Sequence, residues 1–414
     1  MTKQVVFVNG MNLAAAMGGG ASYARVHARA ALRMGFEPHI FCPAPRGGLI
    51  AADFGVVHLV ASPFRPFGAV MSPWHAPLLA FSIERFLSAR EGPHLIHCFI
   101  WWRAGVIAGR RLRRKGVRAI TVNGLYTTAH HEIRAKLRGL NSAHGAAQRW
   151  RYLAEALWTR SVVEREERQV YLQADLLTYN YESVRKLFVE RHGKGAKMRK
   201  LPYASESAFA DETLMGSTKP PAPRTITQLG RQDAPLIVTV SRHDPRKGID
   251  VLLRALSSLR ASGTPFRACL VGGGPLLESH RRLAERLRLE DVIAIVGRVP
   301  DPFAYLRHAD IFVLPSIQEG SGSLSLIEAM QAGVPVVASD VDGIPEDVTD
   351  GDSALLVQPG NVPALGEALG RLINDASLRR CLASRAREVF AQKFSPEVFT
   401  EALGATYAEL GFTP

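Results

Sequence analysis

The sequence predicts an α/β protein with two Rossmann-like, doubly wound parallel-sheet domains in tandem. Its 414 residues exceed one ordinary hydrophobic core and suit two domains of roughly 150 to 200 residues each. Short apolar, β-branched runs recur with helix-length segments between them, as in parallel sheets covered by helices on both faces. The pattern fails once near the middle of the chain and then starts again, which separates the two domains.

The predicted strands are runs of three to five mainly apolar residues that lack the polar alternation of a half-exposed strand. In the first half they lie at residues 5–8, 39–41, 56–60, 95–97, 119–122 and 176–179. In the second half they lie at residues 236–240, 268–271, 292–296, 311–314, 335–338 and 354–357.

The domain boundary is predicted where turn-forming residues collect and periodicity is lost, above all at residues 216–223. This divides the chain into a first domain over 1–205, a linker over 206–234 and a second domain over 235–389. The remaining residues, about 390–414, have a helical pattern, and we expect this helix to pack back on the first domain.

Composition narrows the functional classes. The formal net charge is +13, from 51 Lys and Arg against 38 Asp and Glu, which favours anionic partners such as nucleotide diphosphates, acidic lipid headgroups or nucleic acid. Two basic clusters stand out, around residues 110–118 and 185–200. Solvated helix faces and a membrane-facing patch are the two interpretations of these clusters.

Cysteine usage and hydropathy indicate where the protein works. The four cysteines are far apart and show no metal-ligand spacing, so neither a disulfide framework nor a metal site is expected. No uncharged stretch reaches the roughly 20 residues of a membrane span. We therefore expect a cytoplasmic protein without a transmembrane segment, in contact with the inner face of the membrane at most peripherally.

Candidate binding residues follow the predicted strands, because open parallel sheets bind ligands at the carboxyl ends of their strands, here in a cleft between two domains. The turn Gly18-Gly19-Gly20 follows the first strand and enters a helix, so its backbone N–H groups can approach an anion. An ordinary glycine turn is the alternative.

The second domain opens with cations at a strand end, Arg242, Arg246 and Lys247, ahead of Gly248. Arginine and lysine side chains stabilise the charge that develops on a departing diphosphate. Two further turns, at residues 272–275 and 297–300, can bring backbone groups close to a phosphate and to a nucleobase edge.

The most informative segment is residues 315–338, where a strand, a Gly/Ser loop and a helix follow one another. The helix is predicted to begin near Ser323, so the free N–H groups of the loop and of the helix start can bind hydroxyls or phosphate. Glu319 and Glu328 flank this loop, and each carboxylate can accept two sugar hydroxyls.

Together these segments resemble the family-four retaining glycosyltransferases, which have the two-Rossmann GT-B fold. The resemblance is strong over residues 236–372 and weaker before them. It is carried, in order along the chain, by Ser241-Arg242 with Lys247-Gly248, Gly272-Gly273-Gly274, Gly297-Arg298-Val299, Leu314-Pro315-Ser316, the Glu319 and Glu328 pair, Ala332-Gly333-Val334-Pro335-Val336, Gly343-Ile344-Pro345-Glu346, and Leu356-Val357 with Pro359-Gly360.

The resemblance implies retaining transfer of a hexose or N-acetylhexosamine from a nucleotide-diphosphate sugar to an acceptor hydroxyl, with no resident cofactor or metal. By family frequency it favours a UDP-linked donor over a GDP-linked one. It implies that Arg242 and Lys247 grip the diphosphate, that Glu319 holds the sugar, and that Glu328 binds the ribose. The remaining implied donor contacts are Gly19, Gly20, Gly273, Gly297, Arg298, Val299, Gly320, Ser321, Gly322, Ser323 and Leu324.

This chain departs from the family pattern at three places. Glu319 and Glu328 enclose eight residues, one more than usual in the family. The first domain has Asn123 where a histidine is common, and residues 201–205 replace a common Pro-Asn-Gly turn. Candidate acceptor-side residues lie in the first domain, each with core packing or a structural role as the alternative: Asn123, His130, His131, Glu132, Trp101 and Trp102.

Competing functions are a sugar-nucleotide epimerase on the same scaffold and a non-catalytic anion-binding protein. An epimerase needs further acid and base carboxylates in the cleft, and the anion-binding interpretation leaves the Glu319 to Glu328 loop unexplained. A recognised nucleic-acid module and a dinucleotide glycine fingerprint are both missing from the sequence. The acceptor itself, whether a small molecule, a glycan or a lipid-linked sugar, is open.

Overall fold

The computed structural model describes residues 3–16, 18–63, 72–99, 103–138, 146–195, 197–210, 221–230 and 232–414. The chain forms two compact units, one of Met1–Phe209 with Pro396–Pro414 and one of Ala210–Ser395. Each unit is a sheet with helices, so the α/β fold class with two parallel-sheet units is confirmed.

The first unit contains a sheet of eight strands, parallel apart from the β3–β4 pair. Its spatial order is β3-β4-β2-β1-β5-β6-β7-β8. The strands are β1 (Gln4–Val8), β2 (Glu37–Ala44), β3 (Gly48–Ala52), β4 (Gly55–Ala61), β5 (His94–Phe99), β6 (Ala119–Leu125), β7 (Leu176–Tyr179) and β8 (Met198–Lys200).

The helices between these strands are α1 (Gly19–Arg33), α2 (Ser72–Ser88), α3 (Ala104–Arg114), α4 (Ala129–Arg138), α5 (Ala146–Trp158), α6 (Glu164–Gln173) and α7 (Glu182–His192), and α8 (Glu206–Ala210) follows the last strand. A π-helical turn, Thr159–Val163, joins α5 to α6. Because successive side chains of a strand alternate between faces, Val5 and Phe7 of β1 pack with α1, whereas Val6 and Val8 pack with α2 and α3.

The second unit is a six-stranded parallel sheet in the order β11-β10-β9-β12-β13-β14. Its strands are β9 (Leu236–Val240), β10 (Arg267–Val271), β11 (Ile293–Gly297), β12 (Ile311–Leu314), β13 (Val336–Ser339) and β14 (Leu355–Val357). Its helices are α9 (Arg224–Gln228), α10 (Ile249–Ala261), α11 (Leu277–Arg286), α12 (Phe303–Leu306), α13 (Leu324–Gln331), α14 (Ile344–Asp347), α15 (Val362–Asn374) and α16 (Ala376–Lys393).

The last helix, α17 (Pro396–Glu409), belongs to the first unit. Phe399, Leu403 and Tyr407 are spaced four residues apart, so they form one helical face, and all three are fully buried. The Tyr407 hydroxyl lies 2.9 Å from His97 Nδ1 on β5. This face therefore fixes the end of the chain on the first sheet.

Two strands were missed from the sequence, both at sheet edges. β3 pairs antiparallel with β4 and is largely exposed, so it lacks the buried apolar run that marks the other strands. β8 has three residues, Met198, Arg199 and Lys200. Two of them are charged, so β8 is not an apolar run and the sequence pattern does not indicate a strand. Glu206, at the start of the predicted linker, pairs with Arg25 of α1 at 2.7 Å, which ties it to the first unit.

The remainder of the predicted linker contains α9 and two stretches, 211–220 and 231, that fall outside the described residues. Among the helices in the part of the chain that the structure describes, none combines the length and apolar character needed to cross a bilayer.

Histidines are buried in both units. Burial lowers the pKa of His27 to about 3, and burial together with the nearby His27 ring lowers the pKa of His97. In the second unit, burial and the adjacent His280 ring lower the pKa of His243 to about 4. These side chains are therefore neutral in the folded protein near pH 7.

We expect the free energy of unfolding to decrease as the pH falls from 6.5 towards 4. In this window the unfolded chain protonates these histidines and the folded chain does not, so stability present above pH 6.5 is lost on acidification. Each such histidine contributes a slope of up to about 1.4 kcal/mol per pH unit. Urea titrations across this range measure the slope, which should be shallower in His27→Leu; a flat profile would contradict the prediction.

Candidate functional site

The loops after β9 and β12 lie side by side in the second sheet. From β9 the chain adds β10 and β11 on one side and then β12, β13 and β14 on the other. β12 pairs directly with β9, so this is the point at which the strand order reverses. Open α/β sheets bind ligands at the carboxyl ends of their strands at such a point.

Gly248 allows the two loops to touch. Its φ is +60°, and a Cβ atom added there would lie 1.9 Å from the carbonyl oxygen of Pro315. The carbonyl oxygen of Arg246 accepts hydrogen bonds from the N–H groups of Ile317, at 2.7 Å, and Gln318, at 3.1 Å. The β9 and β12 loops are therefore joined through their backbones, and only glycine fits at this position.

Lys247 and Glu319 form an ion pair at this junction. Lys247 Nζ donates to Glu319 Oε2 at 2.5 Å, and the Ser316 hydroxyl donates to Glu319 Oε1 at 2.5 Å. The two charged side chains are only 15% and 4% exposed. Two residues that the sequence assigned to diphosphate and sugar binding are thus in direct contact.

Asp342 holds the loop that begins at Glu319. Its carboxylate accepts hydrogen bonds from the N–H groups of Glu319 and Gly320, both at 2.7 Å. Asp342 has φ of +51°, a conformation that Asp tolerates better than most residues. The sequence predicted free N–H groups along the whole loop, but at Glu319 and Gly320 they donate to this carboxylate.

Beyond Gly320 the loop leads into α13. Gly343 N–H donates to the Ser321 carbonyl at 3.1 Å, and Ser323 is the N-cap residue of α13, as predicted. The first N–H groups of a helix have no partner within it, so the stretch from Gly322 to Leu324 presents donors at this end of the sheet. Glu328 is half-buried in the second turn of α13.

The turn after β10 packs on the β9 loop and on the start of the turn after β11. Gly272, with φ of +136°, would place a Cβ atom 1.9 Å from the Ser241 carbonyl oxygen, and a Cβ on Gly273 would lie 3.5 Å from Arg298 Cβ. The Gly297 carbonyl accepts from Gly272 N–H at 2.8 Å. Gly273, Gly297 and Arg298 therefore form one continuous backbone surface, with Val299 half-buried next to it.

Arg242 extends from the end of β9 with 65% of its side chain exposed. Its Nε lies 3.7 Å from Asp244, which is itself buried and accepts from Arg246 N–H at 3.0 Å. Asp244 thus orders the turn that carries Arg242 and Lys247. An exposed guanidinium at this strand end is accessible to an anionic ligand.

In the first unit, Gly18 has φ of +107° and precedes α1, whose first two residues are Gly19 and Gly20. The Gly18 carbonyl accepts from the N–H groups of Ala21 and Ser22 at 3.0 Å. The start of α1 is therefore formed by three glycines, as the sequence indicated.

The acceptor-side candidates occupy different surroundings. Asn123 lies inside β6 and is 1% exposed, whereas His130, His131 and Glu132 are half-buried in the first turn of α4. His130 Nδ1 is 3.2 Å from Glu164. Trp101 and Trp102 fall outside the described residues.

Sequence reasoning missed Asp342, Ser316 and the His243–His280 pair, whose Nδ1 atoms are 2.9 Å apart. Asp342 immediately precedes the Gly343-Ile344-Pro345-Glu346 motif, and this adjacency was the available signal. Ser316 and His243 lie within motifs that were recognised, but their partners are distant in sequence. Among the described residues no group of His, Cys, Asp and Glu is arranged to hold a metal ion.

Comparison with known proteins agrees with this fold. Residues 224–389 match the family described as Glycosyl transferases group 1, and residues 17–202 match Glycosyltransferase Family 4. Among solved structures, sucrose-phosphate synthase from Thermosynechococcus elongatus has a TM-score of 0.73 at 22% identity, with 99% of both chains covered. HepE from Anabaena in complex with UDP and glucose has a TM-score of 0.68 at 20% identity, covering 98% of this chain and 99% of that one.

Two curated relatives are informative. A GDP-mannose-dependent alpha-(1-6)-phosphatidylinositol monomannoside mannosyltransferase of Mycolicibacterium smegmatis is 31% identical over 56% of this chain and 60% of its own length. Alpha-D-kanosaminyltransferase of Streptomyces kanamyceticus is 27% identical over 52% of this chain and 55% of its own. The chain thus aligns with somewhat more than half the length of each.

The two parallel-sheet units have the GT-B architecture of glycosyltransferases. The chain belongs to the family-four glycosyltransferases of this GT-B type.

The Lys247–Glu319 pair is expected to stabilise the second unit. Lys247→Ala should lower the free energy of unfolding by about 3 kcal/mol, because it leaves a buried carboxylate without its cation. Lys247→Met combined with Glu319→Gln should cost less than the sum of the single changes. Denaturant titration measures both. Arg260→Ala, which breaks an exposed ion pair with Asp291, is the control and should change stability little; equal losses would contradict the assignment.

Asp342 is expected to order the loop after Glu319. Asp342→Gly should increase amide hydrogen exchange at Glu319 and Gly320 by roughly tenfold, since both N–H groups lose a charged acceptor. Asp342→Asn tolerates the same backbone conformation, keeps an acceptor oxygen and should have a smaller effect. Unchanged exchange in Asp342→Gly would show that the carboxylate does not hold the loop.

Proposed function

We propose that this chain transfers a sugar, with retention of anomeric configuration, from a nucleotide-diphosphate sugar to an acceptor hydroxyl. The observation that carries the proposal is the contact between Lys247 and Glu319 at the strand-order reversal of the second sheet. In a nucleotide sugar, one oxygen joins the anomeric carbon to the outer phosphate. A cation for that phosphate and a carboxylate for that sugar must therefore be neighbours, as these side chains are.

Arg242 and Lys247 would stabilise the diphosphate as it departs. Negative charge builds up on the leaving oxygen during cleavage of the glycosidic bond, and fixed or closely guided cations lower the energy of that state. Lys247 is held by Glu319, and exposed Arg242 can close on the diphosphate. The N–H groups of Gly322, Ser323 and Leu324 at the start of α13 would add donors to the same phosphate or to sugar hydroxyls.

Glu319 would bind the transferred sugar and Glu328 the ribose. Glu328 lies one helical turn after Leu324, so both are on the same side of α13. The backbone surface of Gly273, Gly297, Arg298 and Val299 lies at the carboxyl ends of β10 and β11, one and two strands from β9, and would border the base. Attack by the acceptor on the face that the diphosphate leaves accounts for retention without a covalent intermediate.

We also propose which donor bases and acceptors should be tested first. The sequence resemblance favours a UDP-linked hexose or N-acetylhexosamine, whereas the M. smegmatis relative is named for its use of GDP-mannose. That relative acts on a phosphatidylinositol mannoside and the S. kanamyceticus relative is a kanosaminyltransferase, so lipid-linked and small-molecule acceptors both belong in a screen. His130, His131 and Glu132, at the start of α4, are the first residues to test on the acceptor side.

Calorimetric titration with UDP and GDP, and mass spectrometry of UDP-, GDP- and ADP-sugars incubated with a metabolite pool, test the proposal. Arg242→Ala and Lys247→Ala should lower turnover about tenfold to a thousandfold, and Glu328→Ala should abolish donor binding more than acceptor binding. Arg254→Ala on α10 and Glu367→Ala on α15, both exposed, are the matched controls and should retain activity.

Three outcomes would contradict the proposal. Near-normal turnover in Arg242→Ala and Lys247→Ala would remove the diphosphate role, and unchanged donor affinity in Glu328→Ala would remove the ribose role. Conversion of the donor sugar to its epimer, without transfer to an acceptor, would indicate an epimerase. Strongly salt-dependent binding of DNA with no uptake of either nucleotide would favour an anion-binding protein.

A further inference from the structure

Helix α2 exposes a row of large apolar side chains. Trp74, Leu78 and Phe81 are 46%, 38% and 59% exposed. Their spacing of four and then three residues places them on one face of the helix. The opposite face, with Leu79 and Ile83, is fully buried against the first sheet, so the helix is apolar on both sides.

Helix α5 carries a second row of the same kind. Trp150, Leu153 and Leu157 are 72%, 46% and 69% exposed, again at helical spacing. The two rows are adjacent, because Trp158 at the end of α5 stacks on Trp74 with ring centroids 6.0 Å apart and planes 7° from parallel. We call these six exposed residues of α2 and α5 the apolar face.

The apolar face is unusual for a protein surface. Ten large apolar side chains are strongly exposed in the described part of the chain, and six of them lie here. Phe81 also lines a groove of about 640 Å³ between α2 and the β3–β4 hairpin, next to Leu49, which is 69% exposed. Contiguous exposed apolar surface of this kind marks an interaction site.

Exposed cations border the apolar face. Arg85 follows Phe81 by four residues on α2, Arg151 adjoins Trp150 on α5, and Arg160 follows Leu157 by three residues; all three are exposed. The one acidic residue of α2, Glu84, is paired with Lys115 at 2.7 Å and Arg111 at 3.4 Å. Glu155, the acidic residue of α5, is half-buried. The exposed charges that border this face on the described residues of α2 and α5 and at Arg160 are therefore positive.

The two basic clusters that stand out in the sequence are largely engaged elsewhere. In the first, Arg113 pairs with Asp175 at 2.9 Å and Arg110 donates to Gln173 at 2.7 Å. In the second, Arg185 pairs with Glu182 at 2.6 Å, while Arg191 and Arg199 pair with Glu164 and Glu409. The exposed arginines beside the apolar face are a better match to an anionic surface.

We propose that the apolar face docks on an anionic lipid bilayer, with its side chains in the interfacial region and Arg85, Arg151 and Arg160 against lipid phosphates. Tryptophan is favoured at the headgroup level, and apolar burial combined with basic residues is how interfacial helices bind anionic membranes. A second copy of the chain fits less well, because symmetric packing of this face would bring its arginines together. The inference goes beyond sugar transfer, and its test needs no sugar donor.

Flotation of the full chain with vesicles tests this proposal. We expect binding to vesicles of phosphatidylglycerol and phosphatidylcholine in equal parts but not to phosphatidylcholine alone, with quenching of tryptophan fluorescence by brominated acyl chains. Leu153→Ser with Leu157→Ser should weaken binding by about tenfold or more. Arg151→Glu with Arg160→Glu should weaken it and reduce its salt dependence.

Leu32→Ser is the matched control, since Leu32 is 39% exposed on α1, which packs on the other face of the first sheet. It should bind vesicles as the unaltered chain does. No flotation with anionic vesicles, equal binding of the Leu153/Leu157 variant and the control, or absence of quenching by brominated lipid would each overturn the proposal. A dimer in solution that the Leu153/Leu157 variant abolishes would assign the face to a second copy instead.

Discussion

The site in the second unit depends on the close approach of two loops at Gly248. Because this residue has no side chain, the turn after β9 lies directly against the carbonyl of Pro315 after β12. Only then can Lys247 reach Glu319 and share its carboxylate with Ser316. Any side chain at position 248 would push the two loops apart. It would also separate Lys247 from Glu319, which we assign to the phosphate side and the sugar side of the glycosidic bond that is cleaved.

The sheet order explains why these residues were recognisable from sequence. Residues at the carboxyl ends of the strands of a parallel sheet meet at one edge, so Arg242, Lys247, Glu319 and the start of α13 can be grouped from the sequence alone. Most strands can also be predicted from the sequence, because both faces of a parallel sheet are buried and its strands are therefore apolar runs. β3 and β8 were not predicted, because edge strands need not be apolar and a search for apolar runs does not detect them.

Side-chain partners distant in sequence could not be predicted. Asp342, in the loop after β13, binds the N–H groups of Glu319 and Gly320, and His243, after β9, contacts His280 on α11. The apolar face is a similar case, because Trp74 on α2 and Trp158 on α5 are 84 positions apart in the sequence and stack on each other in the fold. Periodicity identifies a helical face but does not show whether another element covers it.

The most direct test is a crystal structure of the chain with an intact, non-hydrolysable nucleotide sugar. The account predicts the diphosphate within hydrogen-bond distance of Arg242 and Lys247, the pentose hydroxyls on Glu328 and the sugar on Glu319. A nucleotide bound at any other edge of the sheet, or at this edge with those side chains turned away from it, would contradict the account.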